Sequence, residues 1–195
     1  MGAALYRWRG TLVAFLLLVT GVQGCHRWYY PYGWSHCCDL ALGSALHDYA
    51  RDHGGKYPSG EATPEASLSL LYPKYVHPEV LRGKTVPLAV AQHSLRRSGK
   101  LSPQTCGWHY VEGLTLKDEG VAIFWDKAGL DHNGGRDGDG RTVYRILHGR
   151  EYIPNAEWQT FLKRQSDLRA AREARIAAKK IQMPRLIPAM NAHDQ

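Results

Sequence analysis

Apolar positions recur with helical spacing in one stretch and with strand spacing in several later ones. From Asp39 to Pro58, Leu42, Ala45, Leu46 and Tyr49 fall at i, i+3, i+4 and i+7, a single apolar stripe on one helical face. Asp39 suits the helix start, because its carboxylate can accept the orphan amide hydrogens of the first turn. Gly54 and Gly55 provide the left-handed stop, and Pro58 keeps the chain from resuming the helix. Such a stripe needs a covering layer, and the later chain supplies strands. Gly107 to Leu114 alternates, Val121 to Trp125 is a compact β-rich run, and Arg141 to Leu147 pairs as a hairpin with Glu151 to Ile153 across His148-Gly149.

Other segments are punctuated by proline and glycine. Thr63-Pro64-Glu65 reads as a cap followed by proline at the first helical position, opening a short helix through Leu71. LYPKYVHPEVL then turns the chain. Within 84–103, Val86 to Val90 suits a short strand and Arg96 to Pro103 a loop. A last helix starts at Pro154 or Asn155, with Trp158, Phe161 and Leu162 on one face, and continues beyond Gln165 as a polar, helix-forming extension ended by Pro184 and Pro188. Helices first and clustered strands afterwards predict an α+β layer, an N-terminal amphipathic helix packed on a small antiparallel sheet with a basic helix at the C-terminal end.

The amino-terminal pattern differs from all of this. Arg7 and Arg9 precede the apolar run Thr11 to Val22, which is shorter than a comfortable bilayer span and suits the core of a signal peptide. Val22-Gln23-Gly24-Cys25 resembles a lipobox, the site at which bacterial lipoproteins are cleaved and lipidated on cysteine. Lipidation at Cys25, plain signal cleavage and an uncleaved anchor all export the rest of the chain. Residues 1–24 are therefore a signal peptide or anchor, 25–38 an aromatic-rich linker, 39–162 the head and 163–195 a basic helical tail. In the linker, Trp28, Tyr29, Tyr30, Tyr32 and Trp34 suit either a membrane interface or packing beneath the head.

A resemblance enters at the organising helix. Ala45, Leu46, Tyr49, Asp52, Gly54, Tyr57 and Pro58 form a pattern similar to the head domain of type II secretion pseudopilins and related type IV pilin-like proteins, with Gly55 as an insertion. The resemblance implies a structural or interaction role outside the cytoplasm, facing the periplasm or cell exterior, with secretion-system or envelope proteins as partners. It also gives the phrase Leu71 to Val76 the task of closing the helix side of the head. Two departures stand out. No glutamate occurs in the hydrophobic run, with Gly10-Thr11-Leu12 the nearest approach to the prepilin site, and the final hairpin reads His148-Gly149-Arg150-Glu151 where pilin-like chains often have Asp-Gly-His-Val. A stand-alone lipoprotein that binds a ligand or wall polymer is the alternative.

Charge and candidate chemistry refine this picture. The net charge of +7 is largely local: Lys163 to Lys180 holds seven basic and two acidic residues. The head is thus near neutral, no nucleic-acid partner is implied, and the basic helix suits anionic lipid, wall polymer or a protein partner. Asp131, Asn133, Asp137 and Asp139, in a loop with four glycines, offer the oxygen ligands that Ca²⁺ requires, and pseudopilins carry calcium in a loop of similar character. The pattern is equally that of a solvated turn. In an oxidising compartment Cys37 or Cys38 pairs with Cys106. A soft-metal site from His36, Cys37, Cys38, Cys106 and His109 is a further alternative. No nucleophile elbow, zincin, phosphate-loop or dinucleotide motif occurs, so the expectation is a protein that is not an enzyme.

Overall fold

The computed structural model describes residues 19–20, 22–34 and 39–182. It is a mixed α+β fold with a four-stranded antiparallel sheet in the order β1-β2-β3-β4 and a long C-terminal helix. Residues 22–29 are helical. After them come α1 (Asp39–Asp52), α2 (Pro64–Leu68), a 3-10 turn (Ser69–Leu71), α3 (Pro78–Leu81) and α4 (Leu88–Ser98). The strands are β1 (Trp108–Tyr110), β2 (Ala122–Asp126), β3 (Gly140–Arg145) and β4 (Gly149–Pro154). A second 3-10 turn (Asn155–Glu157) leads into α5 (Trp158–Gln182). Among the described residues no helix is long and apolar enough to cross a membrane. Most of the apolar run 11–22 lies outside them.

α1 buries the stripe its spacing predicts. Leu42 and Leu46 are fully buried and Ala45 nearly so. Gly54 and Gly55 both adopt positive φ, and the Gly55 amide reaches back to the Ala50 carbonyl at 2.7 Å. Gly43, on the same helix, meets the face of Tyr144 from β3, and a methyl group there would occupy the ring. Tyr144 in turn stacks on Phe124 of β2, with ring centroids 5.2 Å apart. Helix and sheet approach as closely as a missing side chain permits.

The opposite face of the sheet belongs to α5. Trp125 of β2 packs edge-on against Trp158 and Phe161 at 6.3 and 6.0 Å. The contact stripe extends further than Trp158, Phe161 and Leu162. Gln165 is buried and its Oε1 accepts the Ala122 amide at 2.8 Å. The bulge between Ala122 and Phe124 interrupts the ladder there, and the glutamine supplies the acceptor. Leu168 adds to the core, and Arg172 donates to Asp118 at 2.6 Å. Burial pushes the Asp118 carboxyl up, but Arg172 and the Thr115 amide and hydroxyl outweigh it and hold the group below its usual range. The basic extension is therefore docked through Arg172, and 173–179 stand exposed.

Two segments depart from their sequence pattern. The Val86 to Val90 stretch is not a strand: Pro87 precedes α4, which runs to Ser98 and is closed by Gly99 at φ 69°. Ala91 and Leu95, four apart, are its buried pair, and this helical spacing outweighs the local β-branched residues. Pro78 likewise begins a helical turn within LYPKYVHPEVL. Thr63 caps α2 as its type predicts, accepting the Ala66 amide at 3.2 Å.

Two lysines, Lys84 buried and Lys127 partly buried, tie the helical half to the sheet. Lys84 Nζ donates to Asp126 Oδ2 at 2.7 Å, with both side chains almost wholly excluded from water. The same oxygen accepts the Thr142 amide at 3.1 Å. Burial still holds the Asp126 carboxyl above its usual range, Lys84 opposing it. Lys127 Nζ is bound by Glu65 and by the carbonyls of Pro103 and Cys106. Removing one partner of a buried pair strands the other charge, which costs about 3–5 kcal/mol. Lys84→Met is thus expected to lower unfolding free energy by roughly that amount in chemical denaturation; a loss under about 1 kcal/mol would show that the pair is not desolvated as described.

Candidate functional site

The segment between β2 and β3 forms the most elaborate polar surface of the molecule. Asp131 organises it. Its Oδ1 accepts the amides of Asn133 at 2.8 Å and Gly135 at 2.6 Å, and Gly134 turns at φ 88°. Its Oδ2 accepts the hydroxyl of Tyr29, from the amino-terminal segment, at 3.2 Å. Burial raises the Asp131 carboxyl, but these donors and the neighbouring Asp137 outweigh it, so the group is held below its usual range. A hydrogen bond with Asp137, then burial and the charges of Asp137 and Asp131, push the Tyr29 hydroxyl far above its ordinary value.

The backbone completes the attachment. The Arg136 amide donates to the Tyr29 carbonyl at 3.1 Å, and its guanidinium Nε donates to the Trp28 carbonyl. That guanidinium also lies over the Trp28 ring, 5.8 Å from its centre. From the helical half, Arg82 points both Nη atoms at the carbonyls of Tyr32, Gly33 and Trp34, each at 3.4 Å. Residues 28–34 are therefore gripped from two sides. In the aromatic linker Tyr29 packs on the loop, and Trp28, Tyr32 and Trp34 are exposed.

Beside this grip lies a cleft of about 530 Å³ bordered by Lys84, Asp131, His132, Asp139, Arg150 and Tyr152. Lys84 reaches it from the buried ion pair, and Arg150 lies 3.6 Å from the buried Asp39. Asp39 also accepts the Leu40 amide at 2.9 Å, in the first turn of α1. Hence the cleft wall and the α1 start share one charge network.

Of the four expected calcium ligands, Asp131, Asp137 and Asp139 border this same cleft. Asp131 and Asp137 meet at Tyr29, Asn133 contributes a backbone amide to Asp131, and Asp139 accepts the Tyr152 hydroxyl. Among the described residues no group of three or more His, Cys, Asp or Glu side chains is placed to hold a metal ion.

Compared with known proteins, the chain matches no family model, no curated protein and no solved structure.

The cysteines separate by environment. Cys25 is exposed, and Cys106 is a buried free thiol whose Sγ lies 3.4 Å from the Leu81 carbonyl. Burial pushes its pKa up to about 12. Cys37, Cys38 and His36, with the disulfide and soft-metal sets they belong to, lie outside the described residues. His109 stacks on Trp125, facing α5.

Sequence reasoning found the 131–140 loop but missed what it holds. Tyr29, Arg82 and Arg136 carry no motif, and a tyrosine about one hundred residues from its acceptor leaves no local signal. A β-carbon at Gly135 would collide with the Tyr29 ring and with Asp131. Gly135→Ala is expected to expel Tyr29 and speed tryptic cleavage at Arg27 in the detergent-solubilised chain by roughly tenfold, without a change in far-ultraviolet circular dichroism; unchanged cleavage would contradict the docking.

Proposed function

We propose that the chain is a membrane-tethered, extracytoplasmic pilin-like module with a structural or interaction role, associated with a type II secretion or pilus-like system. The observation that carries this reading is the grip on residues 28–34. A polypeptide leaving an apolar leader is bound to the head by Tyr29, the Trp28 carbonyl and three carbonyls facing Arg82, instead of trailing from it. Such a joint holds a displayed head at a fixed attitude to its anchor, which assembly into a larger structure needs and a freely diffusing binding protein does not. The amphipathic α1 beside β3 and β4, with the hairpin near its start, supports the pilin-like part. Residues 30–34 are not helical, so the spine is interrupted where it leaves the leader.

The stand-alone lipoprotein is favoured by one observation, the exposure of Cys25 in the lipobox-like stretch. Both readings place the protein on a membrane and differ in the anchor. Membrane fractions washed with alkaline carbonate, followed by intact-mass measurement, test them. The expected outcome is retention in the membrane with the leader still attached. A diacylglyceryl mass on Cys25 selects the lipoprotein, and release into the carbonate wash overturns membrane tethering.

A further inference from the structure

On the sheet face away from α1, a pocket of about 520 Å³ opens between the strands and α5. Its walls mix aromatic and charged side chains, among them Asp126, whose carboxylate is paired with Lys84. His109 of β1 stacks on Trp125 of β2 with centroids 4.2 Å apart, and Trp158 and Leu162 come from the helix. Two guanidinium groups enter it from opposite elements, Arg141 from β3 and Arg169 from α5.

Among the described residues the contacts these two arginines make are not with carboxylates. Arg51, Arg145, Arg150 and Arg172 each face a carboxylate within 4 Å. Arg141 lies over the Trp158 ring at 4.4 Å and has one long contact, 3.5 Å, to Asn155 Oδ1. Among the described residues Arg169 donates to the Gln165 carbonyl, at 3.3 Å, one turn earlier in its own helix. Lys127 also borders the pocket, but its ammonium is consumed by Glu65 and two carbonyls. With Asp126 and Glu65 each paired to a lysine, the two arginines stand as forked donors beside flat rings. That combination matches a planar or tetrahedral oxyanion carried on a flat apolar body.

We propose that this pocket binds a small anionic ligand, an aryl or similarly flat carboxylate or phosphate. Its head lies between Arg141 and Arg169 and its body lies against Trp125 and Trp158. Desolvation, together with Lys127 and Arg169, lowers the His109 pKa despite Glu65. The site is independent of the membrane tether, since no residue in it belongs to the amino-terminal segment.

The test uses the intact detergent-solubilised chain and follows the indole N–H resonances of Trp125 and Trp158 by NMR. Benzoate, phenyl phosphate and neutral benzamide are the probes. Saturable shifts are expected with at least one anion, at a Kd below about 1 mM, and at least tenfold weaker binding of benzamide. The tighter of the two anions identifies the head group. Arg169→Gln is expected to weaken anion binding about tenfold with an unchanged melting temperature. Arg141→Gln should do the same, and Arg169→Gln carries the test alone if loss of the contact to Trp158 unfolds that variant. No saturable shift with either anion, equal affinity for benzamide, or indifference to Arg169→Gln overturns the proposal.

Discussion

A lysine and an aspartate with almost no contact with water hold the two halves of this protein together. Lys84 comes from the turn between α3 and α4, and Asp126 from the last position of β2. Isolated in the interior, either charge would cost several kcal/mol, so each enforces the presence of the other. Because Asp126 also accepts the Thr142 amide, the pair fixes where β3 begins relative to where β2 ends. The loop of residues 127–139 spans these two fixed ends, and the polar cleft sits above Lys84. One oxygen of Asp126 has no hydrogen-bond partner, consistent with the raised carboxyl. The pair specifies a geometry more than it adds net stability.

Hydrophobic burial supplies the stability. Leu42, Leu46, Trp108, Phe124 and Ile123 are essentially inaccessible, each contributing roughly 1.5–3 kcal/mol. Both faces of the small sheet are covered, by α1 through Gly43 and Tyr144 and by α5 through Trp158, Phe161 and Gln165. This explains why β2 reads as a continuous buried run while β3 and β4 alternate more loosely.

What was legible in the sequence follows from the range of the forces involved. The stripe of α1, its double-glycine stop and the Thr63 cap are set by neighbours within a few residues, and each is where its pattern places it. The β3–β4 hairpin forms too, but Arg145 pairs with Gly149, so the turn is 146–148 and not His148-Gly149. α4 was misread because Val86 and Val90 mimic a strand locally, while burial of Ala91 and Leu95 decides the outcome. The docked length of α5 was underestimated for a similar reason. Gln165 and Arg172 look solvent-seeking until the Ala122 bulge and Asp118 are found opposite them. The loop at 131–140 was visible as oxygen-rich, yet its oxygens are engaged by its own amides and by distant tyrosines, which composition cannot reveal.

The functional account therefore turns on a joint, the docking of the amino-terminal segment against this loop. Its most direct measure is amide hydrogen exchange at Arg136 in the intact chain held in detergent, because that amide donates to the Tyr29 carbonyl across the joint. Exchange slowed by roughly tenfold or more relative to an unstructured peptide is the predicted result. Exchange at the unstructured rate would mean that the segment is not docked, and the head would then be a tethered domain without a fixed orientation.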